Sequence, residues 1–180
     1  MATHFARAFA ECNRILDIGC GSGRDMAYLH LLGKTVYGID ATSELVEHAQ
    51  VLHPELRDLI ICTAIPSEAI PFGGGFDGIL CSAVLMHIPL VHQRNAVSFI
   101  KACLTPGGRL LYSVPSKRED VISDSQRDIT GRLFIADCKD RLQQLFEENG
   151  FVLLEEWINS DSLGRGDVEW ASFLMKRDVS

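Results

Sequence analysis

The chain has 180 residues, 47% of them hydrophobic and 23% charged, and a net charge of −7. That length and balance predict one domain over residues 1–180 with a substantial core, and the acidic excess argues against a nucleic-acid footprint, which needs clustered Lys and Arg. No apolar run approaches the roughly 20 residues that span a bilayer, residues 1–13 show no leader pattern, and the cysteines form no Cys-x-x-Cys pair, so a cytoplasmic protein without membrane contact or structural zinc is expected.

In chain order, residues 1–14 read as a short N-terminal cap with Phe5, Ala8 and Phe9 at helical spacing. Residues 15–18 read as a buried parallel strand broken by one acid, Asp17. Gly19, Gly21 and Gly23 follow, then a helix over 26–32 ending at Gly33. A strand over 35–39 ends in Asp40, and Thr42 or Ser43 caps a helix to 52 that Pro54 stops. A strand over 59–64 and a loop over 65–75 lead to a strand over Phe76–Ser82 and a helix over 89–104.

Thr105-Pro106-Gly107-Gly108 suits a type II turn before a strand over 109–114. Residues 116–135 are polar and charged without periodicity. Asp137 caps a helix to 149 that Gly150 ends, a strand follows over 151–158, and 159–167 is a loop. The strand over 168–175 has the partial alternation of an antiparallel edge. Strands alternate with helices until the last two. The pattern predicts an α/β fold, a doubly wound Rossmann-like seven-stranded sheet that is mostly parallel with an antiparallel last strand.

The glycine spacing carries chemical information. A dinucleotide loop wants glycines at its first, third and sixth positions. Here they fall at the first, third and fifth, and Arg24 holds the sixth. Asp17 would repel a pyrophosphate but suits a ligand with an ammonium group. Asp40 ends the second strand, where a carboxylate can accept from both hydroxyls of a ribose or simply cap the next helix, and Ala41 beside it is small enough for an adenine ring.

The run Asp17-Ile18-Gly19-Cys20-Gly21-Ser22-Gly23 resembles the first motif of the class I S-adenosylmethionine-dependent methyltransferases of the small-molecule type. Ile70-Pro71-Phe72, Phe76-Asp77 and Pro106-Gly107-Gly108 fall in the same family order. The resemblance implies S-adenosyl-L-methionine as cofactor, its methionyl end in the loop of Gly19, Cys20, Gly21 and Gly23. By the same resemblance the carbonyls of Gly19 and Cys81 accept from the cofactor ammonium, Arg24 pairs with its carboxylate, and Met86 brushes its flank.

Where the family carries an acid for the adenine amino group this chain has Pro66, which leaves Ser67 and Ile65 to meet the base. His87 falls at the cofactor edge, either as a base or substrate-orienting group or as a wall or cap of the pocket. Arg165 is either a substrate-binding cation or a solvated loop arginine. The segments 1–13, 116–135 and 159–167 are expected to cover the substrate.

The Asn/Asp-Pro-Pro-aromatic tetrapeptide of amino-directed nucleic-acid methyltransferases is absent after the fourth strand. The resemblance therefore implies methyl transfer to a small molecule, and because no long apolar helix face is left over a monomer or weak homodimer is expected. The alternative is a non-catalytic module that binds S-adenosylmethionine or regulates a partner on the same fold. An NAD-linked oxidoreductase is disfavoured by the glycine spacing.

Overall fold

Strand β1 (Arg14–Ile18) occupies the middle of the sheet because its apolar side chains face both ways: Ile15 packs into one core and Leu16 and Ile18 into the other. The computed structural model describes residues 2–118, 126–128, 130–135, 138–160 and 168–179. After β1 come α2 (Arg24–Leu31), β2 (Thr35–Asp40), α3 (Ser43–Leu52), β3 (Ile60–Cys62), β4 (Phe76–Ser82), α4 (Leu90–Cys103), β5 (Leu104–Arg118), α5 (Cys138–Glu148), β6 (Phe151–Ser160) and β7 (Val168–Arg177); α1 (Ala2–Ala8) precedes β1.

The strands run in the order β3-β2-β1-β4-β5-β7-β6. The β1–β2, β2–β3, β1–β4 and β4–β5 pairs are parallel, and β7 is antiparallel to both β5 and β6. The expected seven-stranded α/β sheet with one reversed strand is therefore present. One face is covered by α1, α2 and α3 through Phe5, Met26, Leu29, Val46 and Ala49. The other is covered by α4 and α5 through Val97, Ile100, Leu142 and Phe146.

Strand order reverses between β1 and β4. In an open α/β sheet that is where the carboxyl ends of the strands leave a crevice. Asp77 fixes this register from the opposite end, its two carboxylate oxygens accepting the backbone N–H groups of Asn13 and Arg14 at 2.9 and 2.8 Å.

The last strand departs from the sequence reading. β7 is interior, not an edge: residues 171–175 are all buried, and Phe173 stacks on Tyr112 at 4.8 Å. β6 is the edge, and it carries the alternating burial. β7 pairs with β5 on one side and with β6 on the other. β3 is also shorter than expected: Pro54–Leu59 takes a 3-10 turn, so pairing starts only at Ile60, and it ends at Cys62. β5 is longer, because β7 pairs along it as far as Arg118. Gly107 has the positive φ of 78° that the expected type II turn requires, and the chain passes through it as an irregularity within β5.

Candidate active site

The turn after β1 is built for close approach. The N–H groups of Gly19 and Cys20 both donate to the Ile39 carbonyl, at 2.7 and 3.1 Å, which ties the turn to the end of β2. Gly19 has φ 71°, and a Cβ there would overlap Val84 Cγ2 from the segment after β4. Gly21 has φ 54°, and a Cβ there would meet nothing within 4 Å. Gly19 therefore needs its hydrogen for packing, whereas Gly21 keeps open space in front of its backbone.

Asp40 ends β2 with its carboxylate held on both sides. Oδ2 accepts the Gly21 N–H and Oδ1 accepts the Thr42 N–H, each at 2.9 Å. Each oxygen keeps a further lone pair for another donor. Both partners belong to a cleft of about 520 Å³ at the carboxyl ends of β1 to β4. Gly19, Gly21, Asp40, Ala41, Ile65 and His87 of the residues predicted from sequence line it.

Asp17 lies beneath the turn with 2% of its surface exposed. Burial, reinforced by the like charges of Asp25 and Asp40, pushes its carboxyl well above the ordinary value of 3.8, with Arg24 opposing. A buried acid in that condition favours a cationic ligand, whose charge would restore the ionised form.

His87 closes the other wall. Val84 to Ile88 makes a short turn after β4, and the Ala83 that opens it has φ 59°, a left-handed conformation costly for alanine. Two acceptors on β5 hold it there, since the Ala83 N–H donates to the Ser113 carbonyl at 3.2 Å and to Ser113 Oγ at 3.1 Å. Nδ1 of His87 lies 2.5 Å from the Leu133 carbonyl. A carbonyl only accepts, so Nδ1 carries the proton and the basic lone pair of the neutral ring sits on Nε2. The Ile135 N–H donates to the Met86 carbonyl at 3.0 Å. Residues 126–128 and 130–135 are thereby pinned against this turn, and Phe134 packs edge-on to His87 with centroids 4.5 Å apart.

Other predicted residues stand outside the cleft lining. Cys20 and Cys81 are buried among core side chains, where desolvation raises both thiols far above their usual range, and Cys20 Sγ lies against Gly38. Met86 is also a core residue. Gly23 caps α2 and faces His53 and Ala49. Arg24 points to solvent and pairs with Asp25 at 2.9 Å. Ser67 lines a separate shallow groove with Asn95 and Ser98. Arg165 and Asp137 lie outside the described residues.

The cleft also contains residues that the sequence reading did not single out, among them Thr63, Ala64, Val84, His92 and Arg132. His92 could have been found as the first helical turn after the fourth strand. Arg132 sits in the stretch 116–135, which was expected to cover the substrate but has no periodicity to mark this residue within it.

The chain is similar to known proteins over this same architecture. A family model described as a methyltransferase domain matches residues 2–156. A ubiquinone biosynthesis O-methyltransferase from Chromobacterium violaceum is 33% identical over 106 residues, covering 56% of this chain and 43% of that protein. The chain spans less than half the length of the curated relatives it matches. Among solved structures, the 1,6-didemethyltoxoflavin N1-methyltransferase of Burkholderia thailandensis, with its substrate and S-adenosylhomocysteine bound, aligns with a TM-score of 0.77 at 20% identity, covering 98% of this chain and 76% of that one. The N-methyltransferase NodS of Bradyrhizobium japonicum, bound to S-adenosylhomocysteine, aligns with a TM-score of 0.67 at 19% identity over 98% of this chain and 85% of that one.

Proposed function

The chain belongs to the methyltransferase-domain family, and on that premise we propose that it transfers a methyl group from S-adenosyl-L-methionine to a hydroxyl of a small-molecule acceptor. The observation that carries the reading is the arrangement of Asp40 and Gly21. A carboxylate with lone pairs to spare stands beside a glycine turn with open space in front, at the sheet's switch point. That donor and acceptor set fits the cofactor. Asp40 would hold the ribose hydroxyls, Ala41 and Ile65 the adenine, Gly19 and Gly21 the methionyl end, and Asp17 the cationic charge from below.

The bound cofactor supplies a methyl group already activated on a sulfonium. The protein's task is then to orient the acceptor and take up its proton. In this reading His87 Nε2 would take the proton of the acceptor hydroxyl, whose oxygen would receive the methyl group that the bound cofactor would supply. The name of the Chromobacterium violaceum relative supports oxygen as the acceptor atom. One domain over residues 1–180 acts as a monomer or weak homodimer in the cytoplasm, without nucleic-acid or membrane partners. The net charge of −7 supports the exclusion of nucleic acid, and no helix among the described residues is long and apolar enough to cross a membrane.

Calorimetric titration with S-adenosylmethionine, S-adenosylhomocysteine and NAD tests the reading. Both adenosyl ligands are expected to bind in the micromolar range and NAD not to bind. Asp40→Ala should weaken them by about 1–3 kcal/mol, the scale of a lost charged hydrogen bond. A folded protein that binds neither adenosyl ligand overturns the proposal. Binding without transfer to any of a panel of phenols and hydroxy acids assigns the chain to the non-catalytic alternative.

A further inference from the structure

We propose that the acceptor carries a carboxylate and that Arg132 is the residue that binds it; this rests on the methyl-transfer reading and specifies its substrate class. Arg132 lines the cleft together with His87 and His92. The carboxylate in that lining, Asp40, is turned toward the Gly21 and Thr42 N–H groups. The wall formed by the His87 turn and residues 130–135 therefore presents cationic or neutral nitrogen groups, and the acid among the described lining residues, Asp40, stands apart from it at the end of β2.

The guanidinium is held rather than loose. Asp128, only 4% exposed, accepts from the Thr130 N–H and Oγ1 and from the Arg132 N–H at 2.7–3.0 Å. The same carboxylate then takes Nε and Nη2 of Arg132 at 2.8 and 2.7 Å. The Arg127–Leu133 bridge and the Phe134 N–H to Gln126 carbonyl bond at 2.6 Å complete the frame. With its Nε–Nη2 edge fixed, the guanidinium has Nη1 left over, which no hydrogen bond or ion pair among the described residues engages.

The guanidinium lies 5.5 Å from the centroid of Phe134, the same ring that meets His87 edge-on. Arg132 and His87 thus share one ring as a neighbour, and both line the cleft. A planar guanidinium oriented by a buried acid suits a planar carboxylate, since little side-chain freedom remains to be lost on binding.

A purely structural role for the Asp128–Arg132 pair predicts different behaviour, and a matched pair of probes separates the two. The protein loaded with S-adenosylhomocysteine is titrated with 3,4-dihydroxybenzoate and with catechol, as wild type, Arg132→Ala and Arg132→Lys. The wild type should bind the carboxylate probe at least about tenfold more tightly than catechol. Arg132→Ala should abolish that difference and leave catechol unchanged. Arg132→Lys should keep part of it, because charge remains while the fork is lost. Equal affinities in the wild type, absence of binding by the carboxylate probe, or equal weakening of both probes in Arg132→Ala overturns the inference. Failure of the wild type to bind S-adenosylhomocysteine instead removes the methyl-transfer reading beneath it.

Discussion

His87 donates its Nδ1–H to the carbonyl of Leu133 at 2.5 Å, so one imidazole both fastens residues 130–135 to the turn after β4 and directs its basic nitrogen by tautomer. The two roles can be separated. An asparagine side chain places an N–H donor close to where Nδ1 stands but supplies no base. His87→Asn should keep the wild-type melting temperature within a few degrees and lower kcat for a hydroxyl acceptor by about 10²–10⁴-fold, the usual weight of a general base. His87→Ala should lose rate and also loosen the covering segment, read as faster amide exchange at Leu133 to Ile135. Equal kcat in His87→Asn and wild type would exclude His87 as the base.

Gly19 and Val84 are coupled through a space that holds only a hydrogen. Gly19→Ala places a methyl group against Val84 Cγ2 at a positive φ. It should destabilise the fold by about 2–4 kcal/mol, combining left-handed strain with overpacking. Val84→Ala removes the clash but not the strain, so the double mutant should recover about half of that loss in a urea denaturation cycle. Strict additivity of the two substitutions would contradict the contact.

The condition of Asp17 predicts a proton linkage. Its folded-state carboxyl titrates well above the ordinary 3.8, chiefly through burial. Between those two values the folded chain holds a proton that the unfolded chain has released. Stability from this group is therefore full below about 3.8 and falls as pH rises to the folded value. Asp17→Asn should flatten that slope and raise stability at neutral pH by about 0.5–2 kcal/mol. Binding of the cationic cofactor should expel the proton from the wild type. Calorimetry in two buffers of different ionisation enthalpy reads this release, which Asp17→Asn should abolish.

Tyr112 carries a cost in the core. Its ring stacks on Phe173 and leans on Phe146 at 5.0 Å, while its hydroxyl is buried with no hydrogen-bond partner among the described residues. Burial pushes the phenol far above its usual range. Tyr112→Phe keeps the ring packing and deletes the orphaned group, so it should stabilise the protein by about 1 kcal/mol in thermal or urea unfolding. A loss of stability would mean that the hydroxyl has a partner in solution.

The local sequence determined a large part of this molecule. Apolar runs of strand length, the glycine turn and the Pro and Gly stops depend on neighbours within a few residues, so β1, α2, β2, α3, β4 and α4 are legible within a residue or two of their ends. Gly19, Gly21 and Asp40 were legible for the same reason: each follows directly from a strand's carboxyl end, where the chain must turn and where an α/β sheet leaves its crevice.

Tertiary structure decided what local pattern could not carry. Whether β7 lies inside or at the edge depends on which strand pairs beside β5, and alternation alone does not encode that choice. Cys20, Met86 and Arg24 sit close in sequence to cleft residues, yet backbone direction turns the first two into the cores and the third to solvent. The segment 116–135 was expected over the substrate, but Arg132 within it was not legible because its place depends on Asp128, Phe134 and the His87–Leu133 bond, contacts across 46 residues in the last case. The sheet and its glycine turn are properties of short stretches of chain, whereas the wall that carries His87 and Arg132 exists only once distant segments have packed against each other.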